Sequence, residues 1–90
     1  MTRTALLAVR ILLSTVTLAN AGSLGRPCTA APQSQWLSLD ALQTKVEALG
    51  YKVQKAKLKA ACGELYTIDK SGGRVELFVD PTSGAIVGKL

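Results

Sequence analysis

The chain has 90 residues and a mass of 9.4 kDa, room for one small domain and no second core. Hydrophobic residues make up 48% and charged residues 19%, with mean hydropathy +0.24, which excludes a disordered chain and is unusually apolar for a small soluble one. Histidine is absent, aromatics reach only 4% and two cysteines stand far apart, so most catalytic and metal-site chemistries lack their usual residues.

The excess of apolar residues sits at the front. Met1–Arg10 carries Arg3 and Arg10 and no acid, and 11–21 is uncharged, a basic region followed by an apolar one. The run ends in Ala19-Asn20-Ala21, the small-x-small pattern of a signal peptidase site, so residues 1–21 are predicted to be a signal peptide cleaved after Ala21. The uncharged run is only about half the roughly 20 apolar residues a spanning helix needs, which predicts no stable membrane insertion after cleavage. Cys28 follows Arg26-Pro27 rather than a small residue, which argues against a lipid anchor. The predicted location is therefore periplasmic or secreted, in a bacterium. Cleavage removes Arg3 and Arg10 with the leader, leaving 69 residues and lowering the formal charge from +5 to +3.

An exported domain this small commonly depends on a covalent staple. Cys28 and Cys62 are the only cysteines and both lie past the cleavage site. A bridge between them would close a loop of about 34 residues, worth roughly 4 kcal/mol in the chain-entropy model. Two buried free thiols are disfavoured by the oxidising compartment, and a redox-active pair by the absence of C-x-x-C spacing.

Residues 22–35 hold Pro27 and Pro32, small side chains and no periodicity, and read as an irregular lead-in before a domain over 36–90. Ser38 is placed to cap a helix over about 39–49: Asp40 suits its positive end, Leu37 can staple onto Leu42, and Leu39, Leu42, Val46 and Leu49 form one stripe. Gly50 supplies the left-handed stop. Tyr51–Ala60 then alternates with period two, and its apolar phase slips between Val53 and Ala56, which predicts a bulge near Gln54 or Lys55. Leu65–Ile68 reads as a second strand, Asp69–Gly73 as a turn, and Arg74–Asp80 as a third strand with Val75, Leu77 and Val79 on one face. Pro81–Gly84 forms a further turn, capped by Asp80 with Gly84 left-handed, and Ala85–Val87 returns as a short edge strand. The fold class is α+β: one N-terminal helix packed in two layers on a three- to four-stranded antiparallel sheet, with one disulfide.

This order resembles the PepSY domain family, in its small secreted single-domain form. The resemblance rests on the capped helix ending in Leu49-Gly50-Tyr51-Lys52-Val53, on the Cys62 strand with Ile68-Asp69-Lys70, and on Val75-Glu76-Leu77-Phe78-Val79-Asp80-Pro81-Thr82-Ser83-Gly84. It covers about residues 28–88. It implies a domain of the kind found in propeptides of thermolysin-like metallopeptidases, one that restrains peptidases and has no catalytic residues to carry over. Gly63 departs from similar sequences, which carry an aromatic there, and is expected to weaken packing beside Cys62.

The residues themselves point the same way. Without His, with both cysteines committed and no phosphate-binding glycine loop, no catalytic constellation, metal set or cofactor site assembles. Asp69 and Asp80 read as turn-formers, because one carboxylate per turn cannot build a calcium cage. Lys55, Lys57 and Lys59 alternate along one strand face. That ridge is either a solvated guard of the strand edge or an attraction for an acidic partner or anionic lipid. It lacks the aromatics that would stack nucleic-acid bases. Tyr66 and Phe78 are expected on the sheet face opposite the helix, either as an exposed partner-binding patch or covered by the lead-in with Trp36. The expected function is binding: a protein partner, with a peptidase as the first candidate, and as alternative an accessory or sensory subunit docking on a membrane protein or binding a small ligand.

Overall fold

The computed structural model describes residues 24–90; the predicted signal peptide and its cleavage point lie outside them. Within the described residues a short 3₁₀ turn, Gln33–Gln35, leads to helix α1, Leu39–Ala48. Four strands follow: β1, Lys52–Lys59; β2, Cys62–Ile68; β3, Arg74–Val79; and β4, Ile86–Lys89. They form one antiparallel sheet in the order β1-β2-β3-β4, each strand beside its neighbour in sequence.

Helix α1 starts where the sequence places a cap. Ser38 is extended, its hydroxyl accepts the Ala41 N–H at 3.1 Å, and Asp40 lies in the first turn. Gly50, at φ 102°, ends the helix in a left-handed conformation. Leu42 and Val46 are fully buried against Leu65, Leu77 and Val79, and Leu37 and Leu39 pack at the margin of this core. The apolar stripe is shorter than predicted. The helix closes at Ala48, so Leu49 sits at the C-cap, 56% exposed, rather than on the buried face.

The predicted bulge is present, as the β1–β2 register slips between Val53 and Lys55. It carries Val53 on one side of the slip, and Ala56 and Leu58 on the other, to the helix-facing side of the sheet. The two turns form as read: Asp69 Oδ1 accepts the N–H groups of Ser71 and Gly73, and Asp80 Oδ1 accepts that of Thr82, with Gly84 left-handed at φ 81°.

Two expectations need correction. β2 begins at Cys62, three residues before the predicted start, because Ala60 and Ala61 alone make the β1–β2 turn, with φ 51° and 61°. Two-residue turns with left-handed central residues favour Asn-Gly, so Ala-Ala carries no turn signal. Gly63 is not a packing defect. A Cβ there would lie 2.6 Å from Val79 Cγ2 and 3.2 Å from Leu42 Cδ1, so the missing side chain is what allows α1 to approach β2 and β3.

Cys28 and Cys62 form the disulfide, 4.9 Å apart at Cα, and the Cys28 N–H reaches the Ala61 carbonyl at 3.3 Å. The bridge ties the lead-in to the start of β2.

Both backbone readings have measurable consequences. Left-handed alanine costs about 1 kcal/mol per residue, so Ala60→Asn with Ala61→Gly is expected to raise unfolding stability by about 1–2 kcal/mol in denaturant titration. Gly63→Ala is expected to lower it by about 1–3 kcal/mol through overpacking against Val79 and Leu42.

Candidate binding face

With α1 on one side, strand alternation sends the remaining side chains of the sheet to the other, here the outer face. Lys55 pairs with Tyr66, Lys57 with Glu64 and Lys59 with Cys62; Tyr66 in turn pairs with Glu76, and Glu64 with Phe78. Cross-strand partners share a face, so all these candidates lie together on one surface, as the alternation predicts for Tyr66 and Phe78.

They do not share one environment. Phe78 is 1% exposed, which removes its ring from any displayed patch. Of the two possibilities the sequence leaves open, covering by the lead-in is the one observed, but through Leu24 rather than Trp36. A Cβ on Gly88 would meet Leu24 Cδ1 at 2.6 Å and Phe78 Cδ2 at 3.7 Å, so Leu24 seats on the bare backbone of β4 beside the Phe78 ring. Trp36 holds the lead-in to itself, its indole N–H donating to the Ala31 carbonyl at 3.0 Å. Residues 24–28 thus form a strap across one end of the outer face, fixed by the disulfide.

The other end is open. Tyr66 is half-buried, with Lys55 Nζ 6.0 Å and Lys57 Nζ 5.8 Å from its ring centroid. Beside it a groove of about 600 Å³ is lined by Gln54, Tyr66, Ile68, Arg74, Glu76 and Leu90. The Leu90 backbone continues the ladder past β4, exchanging N–H···O bonds of 2.9 and 3.1 Å with Glu76.

Two carboxylates that no sequence motif singled out, Glu64 and Glu76, lie in this face. The Glu64 side chain is 4% exposed and its Oε1 is 3.9 Å from Lys57 Nζ, an ion pair too long for a hydrogen bond. Neither Glu64 Oε1 nor Glu76 Oε2 accepts a hydrogen bond among the described residues, although both atoms are buried. Burial, and then the charge of Glu64, push the Glu76 carboxyl above its ordinary range, while the Tyr66 hydroxyl, Lys57 and Lys59 pull the other way. The face therefore displays Lys55 and Lys59, withdraws Glu64 and leaves Lys57 and Glu76 half-buried. Among the described residues no three His, Cys, Asp or Glu side chains converge as a metal set, and no helix is long and apolar enough to cross a membrane.

The family follows from comparison. The model for the "Peptidase propeptide and YPEB domain" family, PepSY_2, matches residues 3–89. The chain belongs to this PepSY family. No curated protein and no solved structure matches it.

The raised Glu76 pKa sets a direction for stability against pH. Its contribution is present below the ordinary pKa of 4.5 and is lost as pH rises through the higher folded value, because ionisation is then costlier in the folded chain. Glu76→Gln is thus expected to raise the melting temperature near neutral pH and to leave it nearly unchanged well below pH 4.5. Thermal melts across that range check the sign; an equal gain at both ends would contradict it.

Proposed function

We propose that the protein is an exported PepSY domain that acts by binding rather than catalysis, and that its partner is a peptidase whose activity it restrains. The observation that carries this reading is the match to the peptidase-propeptide family over nearly the whole chain. The outer face supports it as the contact surface: no helix covers it and the strap closes only one end, Lys55, Lys57 and Lys59 line one side, and the half-buried Tyr66 offers an aromatic anchor. Phe78 contributes by supporting that surface from beneath the strap.

In this proposal residues 1–21 direct export and are removed after Ala21, delivering the protein to the periplasm or the medium, where the Cys28–Cys62 bridge forms. Residues 22–35 then serve as the strap-bearing lead-in and 36–90 as the domain proper.

A second reading has one specific observation in its favour. The groove beside Tyr66 and Arg74 is large enough for a small ligand, which would suit an accessory or sensory subunit.

The two readings separate in one experiment. The oxidised protein is titrated into a thermolysin-like metallopeptidase and into envelope extract, and the rate of peptide hydrolysis is followed. Restraint predicts a dose-dependent fall in at least one of the two, weakened by Lys55→Glu with Lys59→Glu. Unchanged rates in both, together with a thermal shift in a small-ligand screen, would replace restraint by the ligand-binding reading.

A further inference from the structure

The sheet order leaves β1 at an edge, and β1 is the longer of the two edge strands, eight residues against four in β4. The bulge after Val53 interrupts it early, so from Lys55 to Lys59 it runs in unbroken register with β2. An edge strand presents backbone N–H and C=O groups on the side away from its partner. Along this stretch the two faces differ sharply. Outward stand Lys55, Lys57 and Lys59; toward the helix stand Ala56 and Leu58, partly buried and packed on the core.

We propose that this edge takes an extended segment of a partner protein as a fifth strand, and that the segment alternates acidic with apolar residues. The alternation follows from the pleat. A strand beside Lys55–Lys59 sets every second side chain next to the lysine row and the others next to Ala56 and Leu58. Only acid on the first set and hydrocarbon on the second complement both rows.

The charge distribution points to the same occupant. Lys52 and Arg74 add exposed positive charge to the outer face, whereas Glu64 is withdrawn behind Lys57 and both acids keep buried oxygens. Lys57 stands near both Glu64, at 3.9 Å, and the Tyr66 ring, at 5.8 Å. Backbone pairing supplies affinity in strand addition, and the flanking side chains supply selectivity.

This inference rests on the proposal that the domain is a binding module, but it is tested without a peptidase. The probe is a short blocked peptide alternating Glu with Val, titrated into the oxidised protein at low and high salt while amide exchange is followed residue by residue. Strand addition predicts salt-sensitive binding that slows exchange within residues 55–59. It also predicts that Lys55→Glu with Lys59→Glu weakens binding by about tenfold or more, since attraction becomes repulsion at two cross-strand positions. Both lysines are exposed, so the double variant keeps the fold, which its unchanged melting curve verifies. N-methylation along one edge of the peptide, which blocks ladder hydrogen bonds and leaves its charge intact, is expected to abolish binding. Equal binding of the N-methylated peptide, or of a peptide with the same residues in two blocks, would overturn the proposal. So would binding to anionic phospholipid vesicles with no effect of the alternating peptide on residues 55–59. Peptidase restraint without peptide binding would overturn strand addition and leave the proposed function standing.

Discussion

A helix of ten residues covers one face of a four-stranded sheet and no more, and most features of this domain answer to that shortage. On the covered side Leu42 and Val46 meet Leu65, Leu77 and Val79 at a separation that only glycine at position 63 permits. Burial of these side chains, at about 1.5–3 kcal/mol each, is the main favourable contribution available to so small a chain. The other face has no helix, and the sequence treats its two ends differently. At one end a disulfide-held strap lays Leu24 on Gly88 and closes off Phe78; at the other, lysines flank Tyr66 and a groove remains open.

Two acids lie at the open end, Glu64 buried and Glu76 half-buried. A carboxylate out of water is costly unless compensated, and Glu64 has only a long ion pair to Lys57 on its Oε1. Lys57 also approaches the Tyr66 ring, while Tyr66 bears on Glu76. Lys57, Tyr66 and the two acids thus lie as neighbours on this face, with a buried carboxylate oxygen on each acid left without a hydrogen bond among the described residues. Such an arrangement suits recognition of an acidic partner, which would restore the electrostatic balance the free domain lacks.

Much of the architecture was legible because it depends on near neighbours. Ser38 and Asp40 announce the helix start, Gly50 its end, Asp69 and Asp80 their turns, and the parity change between Val53 and Ala56 the bulge. What escaped the sequence depends on residues that are distant in the chain. The Ala60–Ala61 turn is formed by strand pairing against local preference, which hid the true start of β2. Gly63 looked like a gap because its value lies in the approach of Leu42 and Val79. Tyr66 and Phe78 were placed opposite the helix by alternation, but that the lysine ridge shares their face follows only from the β1–β2 register, and no pattern links Leu24 to Phe78. The one available signal was Gly88 inside a strand, where a bare backbone implies close approach of another segment.

The central claim is that the outer face, and not the helix side, is the working surface. Amine-reactive footprinting tests it most directly: the oxidised protein is labelled alone and in the presence of the peptidase partner proposed above, and each lysine is quantified. The account predicts protection of Lys55, Lys57 and Lys59, with Lys45 on the helix and Lys70 in the β2–β3 turn labelled as before. Protection of Lys45 and Lys70 with the β1 lysines unchanged would contradict it.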